Sequence, residues 1–203
     1  MAGNEQRGVI SQARAIEPPP TLSVALKEWD IVCRSLQGGD QIVLLRKGGI
    51  HDVEGVFELQ EKHFLLFPTF LHQQPGMVKE SRRGELRLRD GEPETIAIGG
   101  WASVTDVVRA SGREAVDRIF AHHLWDVPQI DMRFNYKPSH PLYVVLLRAY
   151  RLPAVVEVAN TKEYAGCVSW VPLGREISLT GSAAAMGDEE YERRRGEILG
   201  LLG

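Results

Sequence analysis

The feature that most constrains this chain is a series of short apolar runs, each of strand length and each stopped by Gly or Pro, spread from Gln41 to Leu179. Gln41–Lys47 has an unbroken apolar centre, as expected of a strand covered on both faces, and Gly48-Gly49 turns the chain after it. Further strands are expected at Val56–Leu59, Phe64–Phe67, Thr95–Ile98, Trp101–Val108, Leu142–Leu152, Val155–Val158, Cys167–Val171 and Ile177–Leu179. Helical spacing is confined to a few segments. Leu22, Ala25, Leu26, Trp29, Val32, Cys33 and Leu36 read as one face of a helix opening at Thr21, with Trp29 as a core anchor. Gly112–Trp125 reads as a second helix, and Asp188–Leu202 as a third, with acids in its first turn where the helix dipole favours them. The polar stretch Gln73–Asp90 reads as an exposed loop or short helix. Ile130, Met132, Phe134 and Tyr136 alternate with Asp131, Arg133, Asn135 and Lys137, the pattern of a half-buried strand.

An order of helix, strands, helix, strands, helix is not an alternating βαβ array. It implies an α+β fold with a mixed or antiparallel sheet, curled into a partial barrel, with packed helices and a C-terminal helix. The expected organisation is a disordered leader over residues 1–20, ending in Pro18-Pro19-Pro20, a single α+β domain over 21–187 and a closing helix over 188–203.

Composition narrows the function classes. The apolar fraction of 43% and charged fraction of 25% are those of an ordinary globular chain. No apolar run reaches membrane-spanning length, and the N-terminal stretch lacks the apolar core of a secretory signal, so a cytoplasmic location is expected. The net charge is −3, and neither end hides a basic core: residues 1–20 sum to zero and 188–203 to −2. That excludes a histone-like, charge-driven nucleic-acid binder but not a local basic groove. Cys33 and Cys167 have no CxxC spacing and are expected to be buried thiols.

Several blocks taken in order resemble one known family: Leu26-Lys27-Glu28-Trp29, Leu44-Leu45-Arg46-Lys47-Gly48-Gly49-Ile50, Phe64-Leu65-Leu66-Phe67-Pro68-Thr69 with His72-Gln73, Arg133-Phe134, Pro141-Leu142-Tyr143-Val144 with Leu147-Arg148, and Tyr164-Ala165-Gly166-Cys167 with Ser169-Trp170. Together they resemble the bacterial family catalogued as domain of unknown function 1802, from about Leu22 to Leu173. The resemblance implies no catalytic residue and no cofactor. Some relatives are linked with restriction-endonuclease-like domains, which implies a restriction–modification protein as a possible partner. More loosely, the order of elements resembles the small PUA-like and ASCH-like barrels that bind RNA or modified bases, which makes DNA or RNA the expected partner.

Among the residues themselves, Arg46-Lys47-Gly48-Gly49 pairs two cations with a turn that lets a ligand approach the backbone, the donor set that a phosphate or carboxylate needs. Thr69, His72 and Gln73, just beyond a buried strand, could read a base edge or a phosphate. Arg133, with Asn135 and Lys137 on one strand face and Arg148 and Arg151 on the next, could line a groove along a phosphate backbone. Tyr164 and Trp170 could stack a base, although burial is the commoner fate of such rings. The expected function is a non-catalytic, nucleic-acid-associated binding module. One alternative is a Mg²⁺-dependent restriction-type nuclease using Asp52, Glu54 and Lys62. The other is a protein-interaction module whose partner face is the closing helix. His122-His123 does not suit a metal, because adjacent helical residues point about 100° apart and only Asp126 shares a face with His122.

Overall fold

The computed structural model describes residues 17–47, 61–166 and 168–203 in full and residues 9–10, 50–53 and 56–59 through their backbone. Its elements run in chain order as β1 (Val9–Ile10), β2 (Thr21–Trp29), α1 (Asp30–Gly38), β3 (Val43–Arg46), β4 (Ile50–Val53), β5 (Val56–Leu59), β6 (His63–Thr69), β7 (Thr95–Arg109), α2 (Arg113–Arg118), α3 (Val127–Asn135), β8 (Tyr143–Ala159), β9 (Trp170–Ser178), β10 (Ala183–Ala184) and α4 (Asp188–Leu202). The fold is α+β with a mixed sheet, as the element order implied.

The spine is the antiparallel pair β7–β8, which stays in register from Thr95↔Ala159 to Arg109↔Tyr143 with bulges at Ile98/Gly100 and Val104/Asp106. Each long strand carries short partners on its outer edge. β8 pairs with β3 and β10, and β7 with β1 and β6. Beyond β6 the sheet continues through β2 to β9 and ends there, so it is curled and barrel-like without closing. β4 and β5 form a separate hairpin. Gly100 marks a close approach: a Cβ there would lie 2.4 Å from the Tyr150 carbonyl oxygen and 2.9 Å from Gln37 Cγ. Only glycine lets α1 settle against this bulge.

Strand alternation divides the apolar residues between two cores. Along β6, Phe64 and Leu66 enter the larger core, while Leu65 and Phe67 enter the smaller. The larger core lies under the helices and takes Ile31, Val32, Cys33 and Leu36 of α1, Ile130 of α3, and Tyr191 and Ile198 of α4. Burying each such aliphatic side chain contributes roughly 1.5–3 kcal/mol. The smaller core fills the curl, with Ala25, Ile96, Ile98, Trp101, Leu152 and Val171. Among the described residues no α-helix contributes to it; Tyr164 enters from a 3₁₀ turn.

Several expected elements differ. The segment opening at Thr21 is a strand as far as Trp29, and the helix begins only at Asp30. A strand between two neighbours buries both faces, so Ala25 and Leu26 face different cores, and that pattern coincides with a helical stripe. Residues Ile130–Tyr136 are not a strand with one polar face; they fall in and just after α3. Asp126 caps this helix by accepting from Val127 N at 2.8 Å, and Pro128 occupies its first turn. The alternation was incidental, since Met132 and Tyr136 are 48% and 58% exposed.

The groove expected from Arg133, Asn135, Lys137, Arg148 and Arg151 is therefore not formed. Arg148 donates to Met186 O at 3.0 Å and pairs with Asp188, and Arg151 donates to Gln37 O at 3.1 Å. The helix expected over Gly112–Trp125 is shorter: α2 is followed by a 3₁₀ turn at Phe120–His122. The expected strand pairs at 95–98 with 101–108, and at 142–152 with 155–158, are single long strands, β7 and β8. The closing helix runs Asp188–Leu202 as expected. The expected leader and Cys167 lie mostly or wholly outside the described residues, apart from 17–20 and the β1 backbone, whose partners are Val108 and Val107. Cys33 is buried, and burial pushes its thiol well above the ordinary range.

Candidate binding cleft

β2 and β6 run parallel, in register from Ala25↔Leu65 to Trp29↔Thr69. Both therefore end at the same level, and a crevice opens beyond their carboxyl ends, the place where open sheets commonly bind ligands. The crevice is a cleft of about 640 Å³, within the range of small-molecule sites. Lys27, Trp29, Phe67 and Thr69 come from the strand ends. Three loops complete it: Leu71–His72 after β6, Glu92–Glu94 before β7, and Asn160–Ser169 after β8.

Each loop is tied down by a polar contact. The Glu92 carboxylate accepts from Phe70 N at 3.0 Å and from Leu71 N at 2.9 Å. Asn160 Nδ2 donates to Pro93 O at 2.9 Å. Lys27 Nζ donates to the carbonyls of Tyr164 and Gly166 while lying 5.7 Å from the Phe67 ring centroid. Phe67 meets Tyr164 edge to face at 5.9 Å. Thr69 Oγ1 donates to Glu28 O at 3.1 Å. His72 holds φ at 68°, in the left-handed region, and is exposed at the rim. Leu71 and Val168 are exposed apolar residues of the rim. The walls are mainly apolar, and their charges, Lys27 and Lys162 against Glu92 and Glu94, balance. Such a cleft suits a flat, weakly charged heterocycle better than a polyphosphate.

A charge cluster adjoins it. Arg46 at the end of β3 pairs with Glu28 of β2, whose side chain is 5% exposed. Arg133 of α3 lies over the Trp125 ring, 5.3 Å from its centroid, and Trp125 meets Trp29 edge to face at 5.0 Å. Burial lowers the Arg133 pKa to about 10, with Glu28 acting to raise it and Arg46 to lower it further.

The expected site residues thus separate. Thr69 and His72 line the cleft. Gln73 is buried behind it, donating to Arg87 O at 3.1 Å. Arg46 pairs with Glu28, and Arg133 lies on the Trp125 ring. Lys47 turns to the end of α3 and donates to Phe134 O and Tyr136 O at 2.8 Å each. Gly48, Gly49 and Glu54 lie outside the described residues, as does the side chain of Asp52. Lys62 is exposed ahead of β6. Among the described residues, no group of three His, Cys, Asp or Glu could hold a metal ion. His123 is buried with neither ring nitrogen hydrogen-bonded within the described residues, and burial with nearby Lys79 and Arg133 lowers its pKa to about 3.

Lys27, Glu92 and Asn160 were not singled out from the sequence. Lys27 stood within the Leu26–Trp29 block, and its neighbour Trp29 read as a core residue. Glu92 and Asn160 carry no local signal. They meet because β7 and β8 pair at Thr95↔Ala159, which brings the residues just outside both strand ends together.

A family model described as Domain of unknown function (DUF1802) matches residues 25–197. The chain belongs to this family. The match takes in the smaller core, all of the larger one but Ile198, the cleft and the Glu28 cluster of this DUF1802 chain. No curated protein matches it. Among solved structures, the crystal structure of a serine-to-alanine mutant of ZmASCH from Zymomonas mobilis aligns at 12% identity with a TM-score of 0.42, covering 86% of this chain and 94% of that one. At that TM-score the likeness is too loose to assign a shared fold or activity. No helix among the described residues is long and apolar enough to cross a membrane.

Proposed function

We propose that the chain is a nucleic-acid-associated binding module that takes an unpaired base into the cleft beyond β2 and β6. The observation that carries this reading is the cleft itself: about 640 Å³, walled by Trp29, Phe67 and Tyr164, charge-balanced, and edged by the polar groups of Thr69 and His72. Trp29, the half-buried ring of the three, offers a stacking surface worth roughly 1–3 kcal/mol per base, and hydroxyl and imidazole groups can read a base edge. The restriction–modification setting is part of the proposal and rests on the family's associations alone.

Fluorescence anisotropy with labelled single-stranded DNA and RNA, bearing unmodified and modified bases, tests the reading. Val168→Asp places a charge on an exposed wall without touching either core, and His72→Gly keeps the left-handed backbone while removing the imidazole. Each is expected to weaken binding at least tenfold, about 1.4 kcal/mol. Absence of binding to every single strand at low salt, by protein with native circular dichroism, would refute it.

A further inference from the structure

Cations against this sheet generally find an oxygen. Lys27 and Lys47 reach backbone carbonyls, Arg148 reaches Met186 O and Asp188, and Arg195 grips Asp106. Arg133 differs. Its Nε is shielded from solvent and has no hydrogen-bond partner among the described residues, and its guanidinium rests on the face of Trp125. The neighbouring carboxylate, Glu28, is already taken by Arg46. The next acid along β2 and α1, Asp30, is engaged by Arg34 at 2.9 Å and lies 3.9 Å from Arg87. Among the described residues Arg46 thus holds the neighbouring carboxylate, and the half-buried Arg133 guanidinium on Trp125 is left without an ion pair. A shielded guanidinium nitrogen without an acceptor is costly, and a guanidinium with an open donor is the chemistry that recognises an oxyanion.

The position favours a phosphate. Trp125 packs against Trp29, and Trp29 walls the cleft. Thr69, at the cleft, is hydrogen-bonded to the backbone of Glu28. The leftover charge of one matches a phosphodiester, which carries a single negative charge. We infer that Arg133, on the Trp125 face and near the Arg46–Glu28 pair, forms a phosphate-binding site for the phosphodiester next to the base held in the cleft. Assigning the phosphate to a nucleic-acid strand rests on the base-binding reading above; the oxyanion site itself does not.

Two titrations separate these ideas. In the first, inorganic phosphate is added at constant ionic strength against a chloride control, with the thermal midpoint as readout. The parent protein is expected to gain several degrees from phosphate, and Arg133→Met, with native circular dichroism, to gain nothing beyond chloride. Arg133→Lys, which keeps the charge but loses the planar fork, is expected to retain a minor part of the gain. In the second, a dinucleoside monophosphate is compared with its parent nucleoside. The dinucleotide is expected to bind at least tenfold tighter to the parent protein and equally to Arg133→Met. A phosphate response no larger than chloride, or a full response in either variant, overturns the phosphate site. Nucleoside binding without a phosphate response removes this site and leaves the cleft reading intact. A phosphate response without nucleoside binding supports the oxyanion site and removes the cleft reading.

Discussion

Arg195 and Arg133 approach the same sheet from two helices, and their surroundings have opposite effects on their charge. Arg195, from α4, meets the carboxylate of Asp106 with two parallel hydrogen bonds of 2.6 Å each. Asp106 is 1% exposed, and the bond to it holds the Arg195 pKa above its ordinary value. Arg133, from α3, has an aromatic face beneath it and no ion pair among the described residues, and burial lowers its pKa to about 10. The first arrangement is closed: the buried carboxylate of Asp106 has its counterpart in Arg195, which also meets the exposed Glu192 at 3.2 Å, and the result is a clamp between α4 and β7. The second is open by one charge. The comparison teaches that buried charge here serves two ends, and that the balance of partners separates a structural pair from a site that has room for a ligand.

The sharpest way to break the comparison is to remove one guanidinium from each cluster. Arg195→Met strands the Asp106 carboxylate in the core and is expected to cost about 3–5 kcal/mol in equilibrium urea unfolding, with little change in ligand binding beyond that due to lost folded protein. An equal or larger loss from Arg133→Met would erase the distinction.

Acid tests the same region through His123. Its pKa of about 3 lies below the unfolded value of 6.5, so the unfolded chain takes up a proton that the folded chain refuses. This contribution is fully present above pH 6.5 and is lost as pH falls from 6.5 towards 3, at about 1.4 kcal/mol per pH unit. His123→Phe is expected to flatten that part of the stability profile. Burial is the main cause, and Lys79, Arg133 and His122 all add repulsion to it. Arg133→Met should therefore make the profile shallower, and Arg195→Met should leave its slope unchanged.

Smaller effects refine the picture. Thr69→Val removes the hydroxyl that donates to Glu28 O and is expected to cost about 1 kcal/mol of stability, together with weaker base binding. Arg133→Met, which leaves Arg46 and Glu28 as a matched pair, is expected to stay within about 1 kcal/mol of the parent in urea unfolding.

Local pattern carried a good deal of this molecule. The first-turn acids and apolar face of 188–202 are sufficient to define α4, and the unbroken apolar stretch after Leu142 defines the start of β8. Thr69 and His72 were visible as polar residues following a buried strand, where packing gives them no evident purpose. Arg46 and Arg133 were visible as cations, but not as neighbours. The missed signal for α3 was present: Asp126 before Val127-Pro128 is a capping residue followed by a helix-starting proline, and the alternation after it drew attention away.

The sequence by itself determined the α+β class, the closing helix, the turn-bounded strands and the family blocks, because each depends on propensity and periodicity within a few residues. Tertiary structure alone decided that Thr21–Trp29 is a strand, since a two-sided strand and a helical stripe place apolar residues alike and only the pairing with β6 and β9 separates them. It also decided that Trp29 lies beside Thr69, that Glu92 lies near Asn160, and that Arg46 pairs with Glu28. Those contacts join segments tens of residues apart, and local periodicity carries no record of the distance between them.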